Sequence, residues 1–455
     1  MAGQTRREFL RTMGGVAGSL LISRIASGKQ ESGRRPNVLL IFTDDQGTID
    51  INCFGATDLF TPNLDRLARQ GTRFTQFYVG APVCSPSRAA LMTGRYPQRA
   101  GLAHNAPSQR GGPGMPTEQV TIAEALKSAG YVTGHVCKWH LGYTPQTMPN
   151  EQGFDYSFGH MGGCIDNYSH FFYWQGPNRH DLWRNGEEVW RDGDFFGDLM
   201  VDECKRFITA NKDRPFFLYW AINMPHYPLQ ATEKWRERYE DMPAPRRMYA
   251  AFVSTVDEMV GKVVAHLEQS GLYDDTMVIF LSDHGHSVEE RTFGGGGNAG
   301  PYRGHKFTLW EGGIRVPCIV SWPGHIPAGA VRNQVATSMD WCPTIAHYCQ
   351  VDLPNHKIDG KNIASIIESA QAPTPHDILH WESGGHWTVR QGDWKLVFNG
   401  PATDYKERKI PKEQDFLSNM AEDVTETENL ADQHPDIVKR LTRLHEVWVK
   451  DVARG

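Results

Sequence analysis

The sequence contains no run of five or more Lys and Arg residues, and its 455 residues carry a formal net charge of −6. Proteins that bind the phosphate backbone of nucleic acids normally carry an excess of basic side chains, so this composition argues against a nucleic-acid partner. With 40% hydrophobic and 22% charged residues, the chain has the composition of a globular protein that can bury a large core. Any anionic ligand must therefore be bound by a few locally arranged cations.

Cysteine occurs in no pattern that indicates a disulfide framework or a zinc site. The sequence has no Cys-x-x-Cys pair and no Cys/His spacing typical of zinc; its cysteines stand at positions 53, 84, 137, 164, 204, 318, 342 and 349. Most of them should be small buried hydrophobic residues. One or two disulfide bonds are the alternative if the protein is exported from the cytoplasm. Cys84 is the exception, because it stands directly before a helix-start signal in "CSPSRAALMTGR".

A membrane span is not expected at the N-terminus. The weakly apolar segment there runs only from Met13 to Ser23, whereas a span needs about 20 residues. It follows "TRREFLRT", in which Arg6 and Arg7 give the segment a resemblance to a twin-arginine export signal; the alternative is a chance Arg-Arg pair. We expect residues 1–33 to be a signal and linker, and the protein to work in a periplasm or outside the cell.

Four apolar, β-rich runs each stop abruptly at polar residues of the kind that bind ligands. They are "NVLLIF" before Thr43, Asp44 and Asp45, "YVTGHVC" before Lys138, Trp139 and His140, "PFFLYWAIN" before Met224, Pro225 and His226, and "MVIFLS" before Asp283, His284 and Gly285. Helix-like segments lie between them, at 61–70, 117–129 and 247–270. This alternation predicts an α/β fold with a mainly parallel sheet, in which ligands bind outside the carboxyl ends of the strands. We therefore expect the four polar clusters to form one site.

The C-terminal part of the sequence has a different pattern. Short strand-like pieces, "WTVRQ" and "DWKLVF", are followed by an acidic loop and an amphipathic helix from about residue 435 to 452. This order predicts a smaller antiparallel sheet with a closing helix. We place a large α/β domain at residues 34–360 and a C-terminal α+β subdomain at 361–455, with a boundary that sequence fixes only to within about 10 residues.

Asp44, Asp45 and Asp283 would place three carboxylates on neighbouring strand ends. Such charges repel one another strongly unless a cation lies between them, so they predict a metal site. Oxygen ligands favour Ca²⁺ or Mg²⁺, and His284 as a further ligand would move the preference toward Mn²⁺ or another transition ion. An adjacent Asp pair alone is commonly a solvated turn or a helix cap, and its position directly after an apolar strand is what favours a metal.

Three cations are complementary to these carboxylates: Arg88, Lys138 and Lys306, the last in "GHKFTLWEGG". His140 and His226 are candidate proton carriers. Together with a metal, these side chains describe a pocket for a tetrahedral oxyanion. Each of them taken singly is commonly a surface or packed residue, and it is their occurrence at independent positions of one architecture that indicates a site.

The segment "CSPSR" followed by "TGR" matches the modification signature Cys-x-Pro-Ser-Arg. Because of this match, the chain resembles the formylglycine-dependent sulfatases of the alkaline-phosphatase-like superfamily. The resemblance continues through "TPNLDRLARQGTRFTQFY", "KWHLG", "SDHG" and "EGGIRVP" to "VRQGDWKL". It implies a large mixed, mainly parallel sheet between helices, with a smaller C-terminal antiparallel sheet and a helix. It also implies that a cytoplasmic formylglycine-generating enzyme oxidises Cys84 before or during folding.

The signature also predicts the local structure around residue 84. Pro86 suits the first turn of a helix, where its missing N–H would be unpaired in any case, and so places residue 84 at a helix N-terminus. The positive end of the helix dipole favours anionic groups there. Arg88, one turn further on, can reach back toward residue 84.

The resemblance further implies the ligands of a divalent cation, calcium in the first place, with Mg²⁺ or Mn²⁺ as alternatives. These ligands are Asp44, Asp45, Asp283, His284 and the modified residue 84. Many relatives have Asn at the last ligand position, where this chain has His284, but His also occurs there. Cys137 is another departure, because Gly commonly precedes the Lys in relatives, but it removes no catalytic group.

The roles in catalysis are likewise what the resemblance implies. One hydroxyl of the hydrated aldehyde would attack sulfur, with Arg88, Lys138 and Lys306 balancing charge on the sulfate oxygens. His226, with Lys306, would protonate the leaving alcohol. His140 would then deprotonate the second hydroxyl, which expels sulfate and restores the aldehyde.

The segment "IDNYSHFF" resembles the Asp-Tyr-Tyr-Ser-His stretch of N-acetylgalactosamine-4-sulfatases, which favours a sulfated sugar, a galactose or N-acetylgalactosamine unit at a chain end. We expect His104, His170 and Trp174 to contact that sugar; loop and core roles are the alternative. Two other functions remain open: a phosphoester or phosphonate hydrolase of the same superfamily, and an inactive glycan-binding relative. The sequence does not determine the oligomeric state.

Overall fold

The computed structural model describes residues 35–454, apart from residues 175, 355, 406, 407 and 411. The predicted export signal, residues 1–33, lies outside the described residues and stays a prediction. Within the described part of the chain, no helix combines the length and the apolar character needed to cross a membrane.

The structure alternates helices and strands along most of its length. The helices are α1 Pro62–Gln70, α2 Cys84–Thr93, α3 Ile122–Ser128, α4 Phe196–Ala210, α5 Glu233–Arg238, α6 Arg246–Gln269, α7 Glu311–Ile314, α8 Trp341–Cys349, α9 Ala364–Glu368 and α10 Pro435–Val452. The strands up to the middle of the chain are β1 Asn37–Thr43, β2 Thr72–Phe74, β3 Phe77–Tyr78, β4 Val132–Lys138, β5 Tyr156–His160, β6 Phe171–Phe172, β7 Arg179–His180, β8 Trp183–Arg184, β9 Glu187–Glu188 and β10 Phe216–Ala221. The later strands are β11 Thr276–Ser282, β12 Cys318–Ser321, β13 Ala330–Arg332, β14 Ala336–Thr337, β15 Ile378–Ser383, β16 His386–Gln391, β17 Trp394–Phe398, β18 Thr403–Tyr405, β19 Arg408–Ile410 and β20 Asp415–Asn419.

A ten-stranded mixed sheet is the centre of the molecule, with strand order β13-β2-β12-β11-β1-β10-β4-β5-β8-β9. Its middle is parallel: β1 pairs with β10 and β11, β10 pairs with β4, and β4 pairs with β5. Toward the margins, β12 pairs antiparallel with β11 and β2, and β8 pairs antiparallel with β5 and β9. The prediction of an α/β fold with a mainly parallel sheet is therefore confirmed.

Strand β1 is buried on both faces, which explains why its sequence is a continuous apolar run. Successive side chains of a strand point to opposite faces, so Val38, Leu40 and Phe42 belong to one hydrophobic cluster and Leu39 and Ile41 to another. Helices α3 and α8 pack into the first cluster, and α4 and α6 into the second. The sheet therefore lies between two layers of helices.

The predicted helices are present with adjusted ends. The segment expected at 117–129 is helical only as α3, because Thr121 and Glu124 form a capping box that fixes its start. The Thr121 hydroxyl accepts a hydrogen bond from the Glu124 N–H at 3.1 Å, and the Glu124 carboxylate accepts one from the Thr121 N–H at 2.9 Å. The residues between 117 and 121 lead into this cap.

The C-terminal part forms the smaller antiparallel sheet that was expected, with order β15-β16-β17-β20. Helix α10 covers one face of it, where Ile437 and Leu441 pack with Val389, Leu396 and Leu417. This amphipathic helix and the sheet bury their apolar faces against each other.

Helix α9 belongs to the packing of the large sheet. Ile363, Ile366 and Ile367 are fully buried in the same hydrophobic cluster as β1 and α8. Helix α9 therefore packs on the large sheet before the chain enters the small sheet. The domain boundary near residue 360 stays a prediction.

A buried charge network joins the small sheet to the segment that contains α7. The Lys395 ammonium lies 2.9 Å from Glu311 Oε1 and 2.8 Å from Glu426 Oε1. Burial raises the pKa of Glu426 to about 7. Burial would also raise the pKa of Glu311, but Lys395 and then Arg315 lower it to about 2. Lys395 of the small sheet therefore pairs with two interior carboxylates, and Glu311 also pairs with Arg315 at 3.1 Å.

We expect Lys395→Met to lower the free energy of unfolding by about 3 kcal/mol, because it leaves the buried Glu426 without its paired lysine and Glu311 paired with Arg315 alone. Chemical denaturation followed by tryptophan fluorescence measures this change. Lys450→Met, which removes an exposed lysine from α10, should change the free energy by less than about 0.5 kcal/mol. Equal effects of the two substitutions would contradict the structural role of Lys395.

Candidate active site

The four polar strand ends of the sequence lie together in the structure. Strands β4, β10, β1 and β11 are consecutive neighbours, and their carboxyl ends lead into Lys138, His226, Asp44 and Asp283. The register pairs Thr43 with Ser282, so the residues that follow β1 and β11 start side by side. The sheet thus converts four separate sequence patterns into one cluster of buried polar side chains.

Three buried carboxylates face three buried cations in this cluster. The ion pairs and their nitrogen to oxygen distances are Lys138–Asp44 at 2.5 Å, Arg88–Asp283 at 3.0 Å and Lys306–Asp45 at 2.8 Å. All six side chains are at most 3% exposed. The charges of the cluster therefore compensate one another rather than being screened by water.

The carboxylates do not share this compensation equally. Burial, opposed by Lys306, raises the pKa of Asp45 to about 7, and burial with the neighbouring charge of Asp44 raises the pKa of Asp283 to about 7. Burial acts on Asp44 too, but Lys138 holds the pKa of Asp44 well below its usual value. Asp45 and Asp283 would gain further stabilisation in their ionised form from an additional cation.

Cys84 is the first residue of helix α2, as its sequence motif predicted. Its side chain is 3% exposed, and Sγ lies 3.7 Å from Asp44 Oδ1 and 3.4 Å from His284 Nε2. Burial would raise the pKa of the Cys84 thiol, but Lys138 and then Lys306 outweigh burial and lower it to about 6. A group at position 84 therefore faces both the carboxylates and the cations.

The donor atoms of this region suit a divalent cation. Four ligand atoms lie within 4.8 Å of one another, one each from Asp44, Cys84, Asp283 and His284. A second group of this kind consists of Asp44, Asp45 and His226. Burial would lower the pKa of His284, but Asp283 and then Cys84 raise it to about 9. Carboxylates that need an extra positive charge, arranged around one imidazole, fit a bound metal ion.

A glycine allows the loop after β11 to lie close to α7. A Cβ atom at Gly285 would lie 1.9 Å from the Gly312 carbonyl oxygen, so any larger residue would displace the backbone. The Gly285 N–H donates to the Gly313 carbonyl at 3.0 Å. This contact fixes Asp283 and His284 relative to the segment that begins with Lys306.

The two candidate proton carriers lie beside the charged cluster and are both buried. His226 Nδ1 is 2.8 Å from the Tyr227 carbonyl, and its Nε2 is 3.8 Å from Asp45 Oδ2. His140 Nε2 is 3.1 Å from the Ala106 carbonyl, and its buried Nδ1 has no hydrogen-bond partner among the described residues. Burial lowers the pKa of both well below the usual value, with further lowering by Lys306 at His226 and Lys138 at His140.

The three residues predicted to contact a sugar have different surroundings. His104 is exposed on the loop after α2, and Trp174 is 38% exposed with its ring against the Arg291 guanidinium. His170 is fully buried, and its ring packs against Phe196 with centroids 5.7 Å apart. In this structure His170 therefore presents no accessible atom to a sugar.

The sequence reasoning missed several side chains beside the cluster. Arg291 donates to the Tyr227 hydroxyl at 2.7 Å, and the Tyr227 ring lies 4.0 Å from the His226 ring. Glu289 Oε2 lies 3.7 Å from the Lys306 ammonium. The polar run "SVEER" directly after "SDHGH" was the available signal for a loop beside the site.

Comparisons with known proteins agree with this geometry. Residues 36–351 match the family model described as Sulfatase, and residues 302–446 match the model described as N-sulphoglucosamine sulphohydrolase, C-terminal. Arylsulfatase A of Homo sapiens is 34% identical over 476 residues, covering 94% of this chain and 90% of that protein. N-acetylgalactosamine-6-sulfatase of Canis lupus familiaris is 35% identical over 404 residues, covering 83% of this chain and 74% of that protein.

The fold is also similar to solved structures. The crystal structure of Ps i-CgsB in complex with k-i-k-neocarrahexaose matches with a TM-score of 0.82 at 32% identity, covering 91% of this chain and 93% of that chain. The whole charged cluster, with Cys84 at its centre, lies within the residues that match the Sulfatase model. This chain therefore belongs to the sulfatase family, with the alkaline-phosphatase-like fold, and is a sulfuric ester hydrolase.

Proposed function

We propose that this sulfatase is exported and hydrolyses a carbohydrate sulfate ester through a formylglycine made from Cys84. The substrate in this proposal is a galactose or N-acetylgalactosamine sulfate at the end of a glycan. The observation that carries it is the position of Cys84 at a helix N-terminus, 3.4 Å from His284 Nε2 and 3.7 Å from Asp44 Oδ1. Export rests on the sequence of residues 1–33, and maturation rests on a cytoplasmic formylglycine-generating enzyme.

The comparisons support a sugar as the sulfated group. One relative is named N-acetylgalactosamine-6-sulfatase, and Ps i-CgsB was solved in complex with k-i-k-neocarrahexaose. Exposed Trp174 and His104 offer a ring face and an imidazole outside the charged cluster. Aromatic faces beside polar groups are a common way to bind a sugar ring.

Asp44, Asp45, Asp283 and His284, with modified residue 84, would hold the divalent cation. Three carboxylates among the ligands favour calcium, with Mg²⁺ or Mn²⁺ as alternatives. When bound, this ion would supply positive charge that acidifies a hydroxyl at position 84 and stabilises negative charge on sulfate oxygens. The raised pKa values of Asp45 and Asp283 support this assignment.

Arg88, Lys138 and Lys306 would bind the sulfate oxygens. Their charges are already fixed in position by the three carboxylates, so little reorganisation is needed when negative charge develops on the substrate. Burial, which would lower the pKa of Lys306, is outweighed by Asp45, so its ammonium stays protonated. Formylglycine at position 84 supplies a hydrated aldehyde, whose hydroxyl is the nucleophile.

His140 has the surroundings of a base. If its Nε2 carries the hydrogen that the Ala106 carbonyl accepts, Nδ1 is left with a free lone pair, and the lowered pKa keeps the ring neutral. His226 donates through Nδ1 to the Tyr227 carbonyl and points Nε2 toward Asp45. The lowered pKa of His226 and its Nδ1–H bond leave Nε2 without a proton, so we assign the leaving-group proton to the Lys306 ammonium beside it. We assign removal of the second hydroxyl proton at position 84 to His140.

Cys84→Ala should reduce sulfate release by at least about a thousandfold, because it removes the precursor of the nucleophile. Ion chromatography of released sulfate measures the loss, and peptide mass spectrometry of the unmutated protein should show formylglycine at position 84. Cys53→Ser, at a partly exposed cysteine outside the cluster, serves as the matched control. A fully active preparation that contains only intact cysteine at position 84 would overturn the mechanism.

Calcium should raise the melting temperature of the protein and should no longer do so in Asp283→Asn. The substitution removes one negative charge from the proposed ligand set, and a ligand that binds only the folded state stabilises it by mass action. Differential scanning fluorimetry with and without chelator measures both. Asp241→Asn, at an exposed carboxylate, should keep the calcium response. A calcium shift that survives in Asp283→Asn would place the ion elsewhere.

Trp174→Ala should raise KM for the preferred sulfated sugar by about tenfold with little change in kcat, because stacking contributes to binding of the sugar rather than to the reacting group. A panel of galactose and N-acetylgalactosamine sulfates gives the measurement. Phe60→Ala removes an aromatic ring of matched exposure, 39% against 38%, and should leave KM unchanged. An unaltered KM across the panel in Trp174→Ala would remove this residue from the sugar site.

A further inference from the structure

Three imidazole nitrogens are buried together, and none of them makes a hydrogen bond of normal length and angle to a described residue. They are both ring nitrogens of His170 and Nε2 of His180. The Asp194 backbone interacts with the His170 ring and favours its protonated form. An imidazole always carries at least one N–H, and its other nitrogen has a lone pair or a second proton, so unpaired burial of these atoms is unfavourable. Buried polar groups of this kind indicate a ligand that the protein residues alone do not supply.

The His180 ring is held in the way that metal-binding imidazoles are held. Its Nδ1 lies 3.0 Å from Glu188 Oε1, and Arg110 also donates to this carboxylate at 2.7 Å. The ring stacks on Trp190 with centroids 3.9 Å apart and planes within 9°. Donation of Nδ1–H to Glu188 leaves the Nε2 lone pair free, and a carboxylate on the opposite nitrogen is the usual support of a histidine ligand.

His170 is fixed by its backbone in an uncommon conformation. Its φ of 59° lies in the left-handed region, where few residues other than glycine occur. The His170 N–H donates to the Asp166 carbonyl at 3.0 Å, and its own carbonyl accepts from the Asp181 N–H at 2.9 Å. The backbone therefore directs this imidazole toward His180, with ring centroids 6.4 Å apart.

Asp192 completes the cluster from a third segment of the chain. Three donor atoms lie within 4.8 Å of one another, one each from His170, His180 and Asp192. Both histidines are buried, whereas Asp192 is exposed, so the cluster opens to solvent on the carboxylate side. An ion could reach the imidazoles from that side without unfolding of the chain.

We propose that His170, His180 and Asp192 form a second metal site, separate from the active site, that takes a transition metal ion of the zinc type. Two imidazoles and one carboxylate are a typical zinc ligand set, and water would complete the coordination. Calcium does not fit, because it prefers a shell made of oxygen ligands. The ion would join the turn before β6, strand β7 and the segment before α4, and so would fix the hairpin that carries Trp174.

The test is zinc retention by the full chain in buffer that contains calcium, measured by elemental analysis after equilibrium dialysis against Zn²⁺. Cys84→Ser removes the thiol that could hold zinc in the active site, and all variants are made in this background. Zinc bound by the histidines and carboxylates that remain there is common to all variants, so their zinc affinities are compared with one another. We expect the background protein to retain zinc and His180→Gln to bind it about a hundredfold more weakly. Absence of retained zinc in the Cys84→Ser protein overturns the proposal.

Asp192→Asn is the second variant, because an exposed side chain can be changed without a risk to folding. Its zinc affinity should fall by about tenfold or more, while Asp202→Asn, an exposed carboxylate on α4, should bind zinc like the background protein. Cobalt substitution adds a spectroscopic test: Asp192→Asn should need about tenfold more Co²⁺ to reach its full absorption in the visible range, and Asp202→Asn should match the background protein. Equal zinc affinity of the two Asp variants contradicts the assignment and leaves an ordered water as the partner of the imidazoles.

Discussion

The structure depends on the pairing of charges that have no access to water. Asp44 and Lys138 are both fully buried, and neither ion would be tolerated there without the other. Asp44 follows β1 and Lys138 ends β4, and Asp283 and Arg88 pair in the same way across β11 and α2. Register between β1 and β11 therefore matters for the chemistry as much as for the sheet, because a shift by one residue would separate these partners.

The fold and the central cluster could be predicted from the sequence because their signals are local. An apolar run that ends in Asp44 and Asp45 identifies both a strand and the edge at which its polar residues lie, and parallel neighbours bring such edges together. The partners of the other buried polar groups could not be predicted this way. Lys395 meets Glu311 from 84 positions away, and the burial of His170 depends on how its loop packs on α4. Periodicity carries no information about either contact.

The charges of the active site couple the binding of a metal ion to the binding of sulfate. Three carboxylates and three cations compensate one another, so the side chains alone give a pocket with little net charge from these six groups. A divalent cation would leave an excess of two positive charges in a region of low dielectric, and an anion would offset it. Metal and sulfate should therefore bind cooperatively, because each reduces the cost of burying the other.

The burial of Cys84 also limits the stage of folding at which an enzyme can reach this residue. With 3% of the side chain exposed at the base of a packed helix, the folded protein gives an enzyme no access to this thiol. If Cys84 is converted to formylglycine as proposed, modification and folding compete for the same unfolded chain, and the ratio of their rates would determine the modified fraction. A substitution far from the site that only accelerates folding would lower this fraction, so the specific activity of a preparation would report its folding kinetics as well as its catalytic residues.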